Sequence, residues 1–145
     1  MEKSFVKNEI ENGIPGLIIL SHGPLAMALK ETGKMIFGDA KNVVAFSLQY
    51  GDDVSEYAEA FIDAIDSFDA GCLIIVDIIG GTPFNQLLLH AKRNDKKYNI
   101  ISGANLPLLI TALTLRNIYL NDVEGWKKAI SSEMNEFIKD VSDYC

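Results

Sequence analysis

Short, unbroken apolar runs alternate along this chain with longer stretches in which apolar residues recur every three or four positions. The runs are "GLIIL" from Gly16, "NVVAFSL" over residues 42–48, "CLIIVDII" over residues 72–79 and "YNIIS" from Tyr98. Continuous apolar runs predict strands covered on both faces, the habit of parallel sheets. The stretches between them predict helices. One covers Pro24 to Phe37, with proline in the first turn and Gly38 at the exit. A second begins at "GDDVSEY", where Asp52 or Asp53 can cap it, and carries Val54, Tyr57, Ala58, Phe61, Ile62, Ile65 and Phe68 on one stripe. A third follows "GGTPFN" with Leu87, Leu88 and Ala91, and a fourth covers "LPLLITALTL". A last helix runs from Val123 to Val141, with Trp126, Ile130, Met134, Phe137 and Ile138 on one side. "IKDVSDYC" reads either as the end of that helix or as a short edge strand. Residues 1–15 read as a loose extension with one weak apolar cluster.

Strands alternating with helices imply βαβ units with right-handed crossovers. The expected fold is α/β: a doubly wound three-layer sandwich with a mostly parallel four-stranded sheet in the order 2-1-3-4. Residues 16–145 form its one domain behind the N-terminal extension.

Composition narrows the functions open to such a fold. Twenty acidic residues against 13 basic ones leave a net charge of −7. That balance excludes nucleic acid as a partner, because phosphate backbones attract Lys/Arg clusters. The densest basic run, "AKRNDKK", is interrupted by Asp95 and reads as a solvated loop. No apolar stretch reaches the roughly 18 residues a membrane span needs. The polar start "MEKSFVKNEIENGIPG" lacks the apolar middle of a signal peptide. Cys72 lies inside an apolar run and Cys145 is the last residue, which reads as no disulfide and a cytoplasmic chain.

In open α/β sheets, ligands bind beyond the carboxyl ends of the strands, where strand order reverses. The first strand ends at Ser21, His22 and Gly23, and the third at Asp77. With the order 2-1-3-4 these two ends are neighbours. A histidine can be a nucleophile near neutral pH, and one ring nitrogen attacks only if the other holds the proton. A carboxylate such as Asp77 would fix that tautomer and stabilise the cation formed on attack. The glycines of "GGTPFN", Gly80 and Gly81, let backbone N–H groups approach an anion, with Thr82 as helix cap and Pro83 in the first turn. Gly23 and Pro24 set a second helix start beside His22. His90, in the middle of a helix, reads as a surface residue. His22, Asp77 and His90 lack metal-ligand spacing, so no metal is expected.

The segments "GLIILSHGPLAMAL", "VDIIGGTPFN" and "IISGANLPLL" resemble the mannose-family enzyme IIA of the bacterial phosphoenolpyruvate-dependent sugar phosphotransferase system, over about residues 16–142. The resemblance implies that His22 accepts a phosphoryl group from the histidine phosphocarrier protein and passes it to a IIB component. Asp77 falls on the family's partner aspartate, and Thr82 on its phosphate-holding hydroxyl residue. Gly23, Gly80 and Gly81 would complete the phosphate site. The resemblance also implies a homodimer, a C-terminal segment involved in exchange between subunits, a link to membrane components IIC and IID through IIB, and no cofactor. The IIB acceptor would be a separate polypeptide, and the extension is longer than the family pattern leads one to expect.

Other readings share parts of this pattern. A response-regulator receiver also places an aspartate at the end of the third strand, but it needs an acidic pair where this chain has "LSHG". A flavodoxin-like module needs a phosphate loop richer in Ser, Thr and Gly than "SHGPLA". The phosphotransferase subunit that feeds dihydroxyacetone kinase, and a regulatory domain of a transcriptional activator, use a related build.

Overall fold

A computed structural model describes residues 1–145. Strand β1 is Glu2–Lys3, β2 is Gly16–His22, β3 is Val43–Leu48, β4 is Cys72–Val76 and β5 is Asn99–Ser102. Helices α1 (Leu25–Phe37), α2 (Val54–Ser67), α3 (Thr82–Arg93), α4 (Leu106–Arg116) and α5 (Val123–Ser131) connect and follow them. The sheet order is β1-β3-β2-β4-β5. Its four long strands are parallel and stand in the expected order, with β2 central between β3 and β4.

The strands are apolar throughout because both faces are covered. Leu17, Ile19, Val43, Ala45, Leu73 and Ile75 pack on one side with residues of α1, α4 and α5. Ile18, Leu20, Val44, Phe46, Ile74 and Val76 pack on the other with residues of α2 and α3. Successive side chains of a strand point to opposite faces, so one apolar run feeds two cores. Trp126 seals the first, its indole N–H donating to the Ala112 carbonyl at 2.9 Å.

The structure corrects the sequence expectation at both ends. The sheet has five strands, not four, because the extension is docked rather than loose. Glu2 and Lys3 pair antiparallel with Ser47 and Phe46. Ser4 bonds Ala45 through its N–H, at 3.0 Å, and through its hydroxyl, which accepts the Ala45 N–H at 3.1 Å. Phe5 lies against Phe46 with ring centroids 6.2 Å apart. Asn42 ties down the rest: its amide donates to the Glu11 and Ile14 carbonyls, and its oxygen accepts the Glu11 N–H. At the other end, α5 stops at Ser131 instead of Val141. The hydroxyls of Ser131 and Ser132 turn back onto the Lys127 and Ala129 carbonyls, competing with the helix for its acceptors. Beyond lie only 3-10 turns at Met134–Glu136 and Ser142–Tyr144, and Met134 and Ile138 are exposed. No helix is long and apolar enough to cross a membrane.

Candidate functional site

His22 is the last residue of β2, and Asp77 is the first after β4. Because β2 and β4 are adjacent and parallel, both side chains emerge at the same edge of the sheet. β4 ends before Asp77, earlier than the apolar run suggests, and the following Ile78 and Ile79 are exposed. The Asp77 carboxylate replaces strand pairing with side-chain bonds. Its Oδ2 accepts the His22 backbone N–H at 2.8 Å and lies 2.7 Å from His22 Nδ1, while Oδ1 accepts the Ile78 N–H at 2.9 Å. A carboxylate can only accept, so Nδ1 is the protonated nitrogen and Nε2 carries the lone pair. The imidazole side chain is 44% exposed and the carboxylate 11%, so the ring is open to solvent and its hydrogen-bond partner sheltered.

Nε2 faces the glycine loop. A Cβ built on Gly81 would lie 2.5 Å from His22 Cε1 and 3.2 Å from Nε2. Only a residue without a side chain allows this approach. Gly80, with φ +82°, makes the turn before it. The cap of α3 differs from the sequence expectation: Gly81 is the N-cap, Thr82 is the first helical residue, and no side chain caps the end. The N–H groups of Thr82 and Phe84 therefore have no partner in the chain, Pro83 has none to offer, and the Gly81 N–H points into the turn over residues 79 and 80, toward the Ile78 carbonyl but short of good hydrogen-bond geometry. A helix start with free N–H groups and a partial positive charge suits an anion.

The start of α1 is occupied. Ser21 Oγ accepts the Ala26 N–H at 2.7 Å, and Ser47 Oγ accepts the Met27 N–H at 3.3 Å. The Gly23 N–H is taken by the Leu48 carbonyl at 2.7 Å, so Gly23, at φ +57°, serves the turn rather than offering a donor. Of the two helix starts beside His22, only that of α3 is free.

A cavity of about 510 Å³ opens from His22 past Pro24 and Leu48 to Tyr50, Asp52 and Val54. Asp52 shapes its far wall, accepting the Gln49 N–H and pairing with the N-terminal ammonium at 2.6 Å. The ammonium first, then that N–H, hold its carboxyl below the usual range. A cavity of about 590 Å³ between residues 4–10 and α1 contains none of the residues around His22. Burial, with Asp77 as a smaller cause, pushes the Tyr57 phenol above its ordinary range. It stays protonated and donates to the Phe46 carbonyl, bracing the strand beside β2.

Comparison with known proteins turns this geometry into a family. The sequence pattern described as "PTS system fructose IIA component" matches residues 16–131. The chain belongs to this phosphotransferase-system IIA family. The IIA chain is 33% identical over 120 residues to the "PTS system fructose-specific EIIA component" of Bacillus subtilis, covering 81% of this chain and 82% of that one. It is 30% identical over 106 residues to the "PTS system mannose-specific EIIAB component" of Escherichia coli K12, covering 70% of this chain and 32% of that longer one. A crystal structure of "phosphotransferase system component EIIA" from Streptococcus agalactiae superposes with a TM-score of 0.81 at 26% identity, covering 90% of this chain and 99% of that one.

The IIA fold gathers His22, Gly23, Asp77, Gly80, Gly81 and Thr82 at one end of the sheet. His90 stands apart in the last turn of α3, half-buried, its Nδ1 2.7 Å from the Tyr98 hydroxyl. Sequence reasoning missed the serine caps on α1 and Asn85, whose amide donates to the Gly80 carbonyl at 2.9 Å. Ser21 and Asn85 stand inside the quoted motifs, but nothing local shows which backbone group each one reaches.

Proposed function

We propose that His22 is a phosphoryl carrier between the histidine phosphocarrier protein and a IIB component. The observation that carries this is the Nδ1–Asp77 hydrogen bond, which leaves Nε2 as the open nucleophile over the free start of α3. Nε2 attacks the phosphorus of the donor's phosphohistidine. The new Nε2–P bond forms as the donor's N–P bond breaks, and the bonding pair leaves with the donor imidazole. The proton on Nδ1 stays, and Asp77 balances the positive charge that develops on the ring. The N–H groups of Gly81 and Thr82, with the Thr82 hydroxyl, face the phosphoryl oxygens, and Gly80 and Gly23 shape the two turns. The second transfer reverses these steps toward IIB. Positioning and charge carry the chemistry, and no cofactor enters.

Residues 16–145 act in this reading as the IIA domain, and residues 1–15 as an extension that braces β3. The chain works as a homodimer in the cytoplasm and reaches the membrane components IIC and IID only through IIB. The test is to incubate the protein with phosphoenolpyruvate, enzyme I and the phosphocarrier protein and to follow intact mass. Wild type and His90→Ala should each gain one acid-labile phosphoryl group, and His22→Ala none. A wild type that gains nothing, or a His22→Ala that is still phosphorylated, refutes the assignment.

A further inference from the structure

The loop between β4 and α3 crosses the mouth of the site on few supports. The Asp77 N–H bonds Leu20 O at 3.2 Å and the Ile78 N–H bonds Asp77 Oδ1 at 2.9 Å. Beyond that, Ile79 and Gly80 are exposed and their N–H groups have no partner. The one well-formed hydrogen bond that grips this part of the loop is that of the Asn85 amide, which donates to the Gly80 carbonyl at 2.9 Å. In a planar trans peptide the C=O and the following N–H point in opposite directions. Holding the Gly80 carbonyl toward Asn85 therefore turns the Gly81 N–H away from it, into the turn over residues 79 and 80, where its contact with the Ile78 carbonyl falls short of good hydrogen-bond geometry and leaves it open to a better acceptor. Gly81 is also the residue whose α-carbon approaches the His22 ring so closely that a methyl group would collide with it. A peptide between two glycines flips easily, because neither residue has a side chain to resist rotation. Gly80 and Gly81 cannot hold one orientation by themselves.

Resting on the reading of His22 as the carrier, we propose that Asn85 is a positioning residue: it locks the Gly80–Gly81 peptide so that the Gly81 N–H is presented to a phosphoryl group on His22 Nε2. Asn85 itself is exposed and makes no hydrogen bond to the ring or, in this scheme, to the phosphoryl group. Its own backbone N–H continues α3 by bonding the Gly81 carbonyl at 2.9 Å, and that bond survives any side-chain change.

Asn85→Asp separates this role from plain helix stabilisation. Aspartate has the same shape but cannot donate to a carbonyl. It accepts the Gly81 N–H instead, which flips the peptide and adds a negative charge. Asn85→Ala removes the lock without that reversal. Full-length wild type and both variants, labelled with nitrogen-15, would be phosphorylated through enzyme I and the phosphocarrier protein. Uptake should slow about 10-fold in Asn85→Ala and about 100-fold in Asn85→Asp, the scale of a lost anion donor. On phosphorylation the Gly81 amide proton should move downfield in the wild type and stay in place in the variants, with all three unfolding at similar temperatures. If both variants accept phosphoryl groups at the wild-type rate, or their Gly81 amides shift as in wild type, the lock is refuted while the carrier role of His22 stands. A wild type that takes no phosphoryl group on His22 overturns both.

Discussion

At the scale of single residues, the site depends on what Gly81 lacks. Its backbone is ordinary, with φ −77° and ψ 167°, so any amino acid could adopt it. The space is not ordinary, since a Cβ there meets His22 Cε1 at 2.5 Å. Gly81→Ala should therefore fold and fail. The methyl group pushes the imidazole off Asp77 or covers Nε2, and a displacement of that order costs about 100-fold in transfer rate. Thermal unfolding and a phosphorylation time course on the same sample check this. A variant that melts like wild type and is phosphorylated as fast would show that the ring has room the geometry denies it. The pairing of His22 with Asp77 was legible in sequence because residue type and strand end coincided. Gly81 was legible as a glycine suited to an anion loop, but not as the neighbour of one particular ring carbon, which depends on how closely two segments approach in space.

At the scale of elements, α1 and α3 both start beside His22 and are treated oppositely. The N–H groups that open α1 are capped by Ser21 and Ser47, hydroxyls from two different strands. Those that open α3 are left free. Ser21 is fully buried, so Ser21→Ala strands the Ala26 N–H without water to replace the bond. The expected loss is about 1–3 kcal/mol. It is read as a lower midpoint in urea unfolding at unchanged slope, and a midpoint equal to wild type would refute the cap. Element types and the four parallel strands followed from apolar periodicity. The ends did not. β1 is two exposed residues long, too short to carry a pattern, and forms only because β3 offers it an open edge. α5 stops where two serines compete for carbonyls, although the apolar spacing continues to Ile138.

At the scale of the whole molecule, two apolar layers enclose the sheet and leave chemistry only at its rim. Cys72 shows what that enclosure does. Burial first, and Asp66 second, push its thiol up to about 12. The thiolate is the reactive form, so Cys72 stays inert in the folded chain while the exposed Cys145 does not share that protection. Iodoacetamide at pH 8 should modify Cys145 alone in the native protein and both thiols after denaturation. Modification of Cys72 in the native state would mean that the sheet opens more readily than this packing allows.

The sequence by itself determined the alternation of strands and helices, the parallel sheet and the clustering of His22, Asp77 and the glycine loop, because these follow from periodicity and from where each run stops. Only the tertiary structure decided which helix start stays free, which nitrogen of His22 is left without a hydrogen-bond partner and what Asn85 and Ser47 hold. Those are contacts between residues far apart in the chain or between one side chain and one backbone group. Their partners are chosen by the distance between elements after packing, a quantity no local pattern encodes.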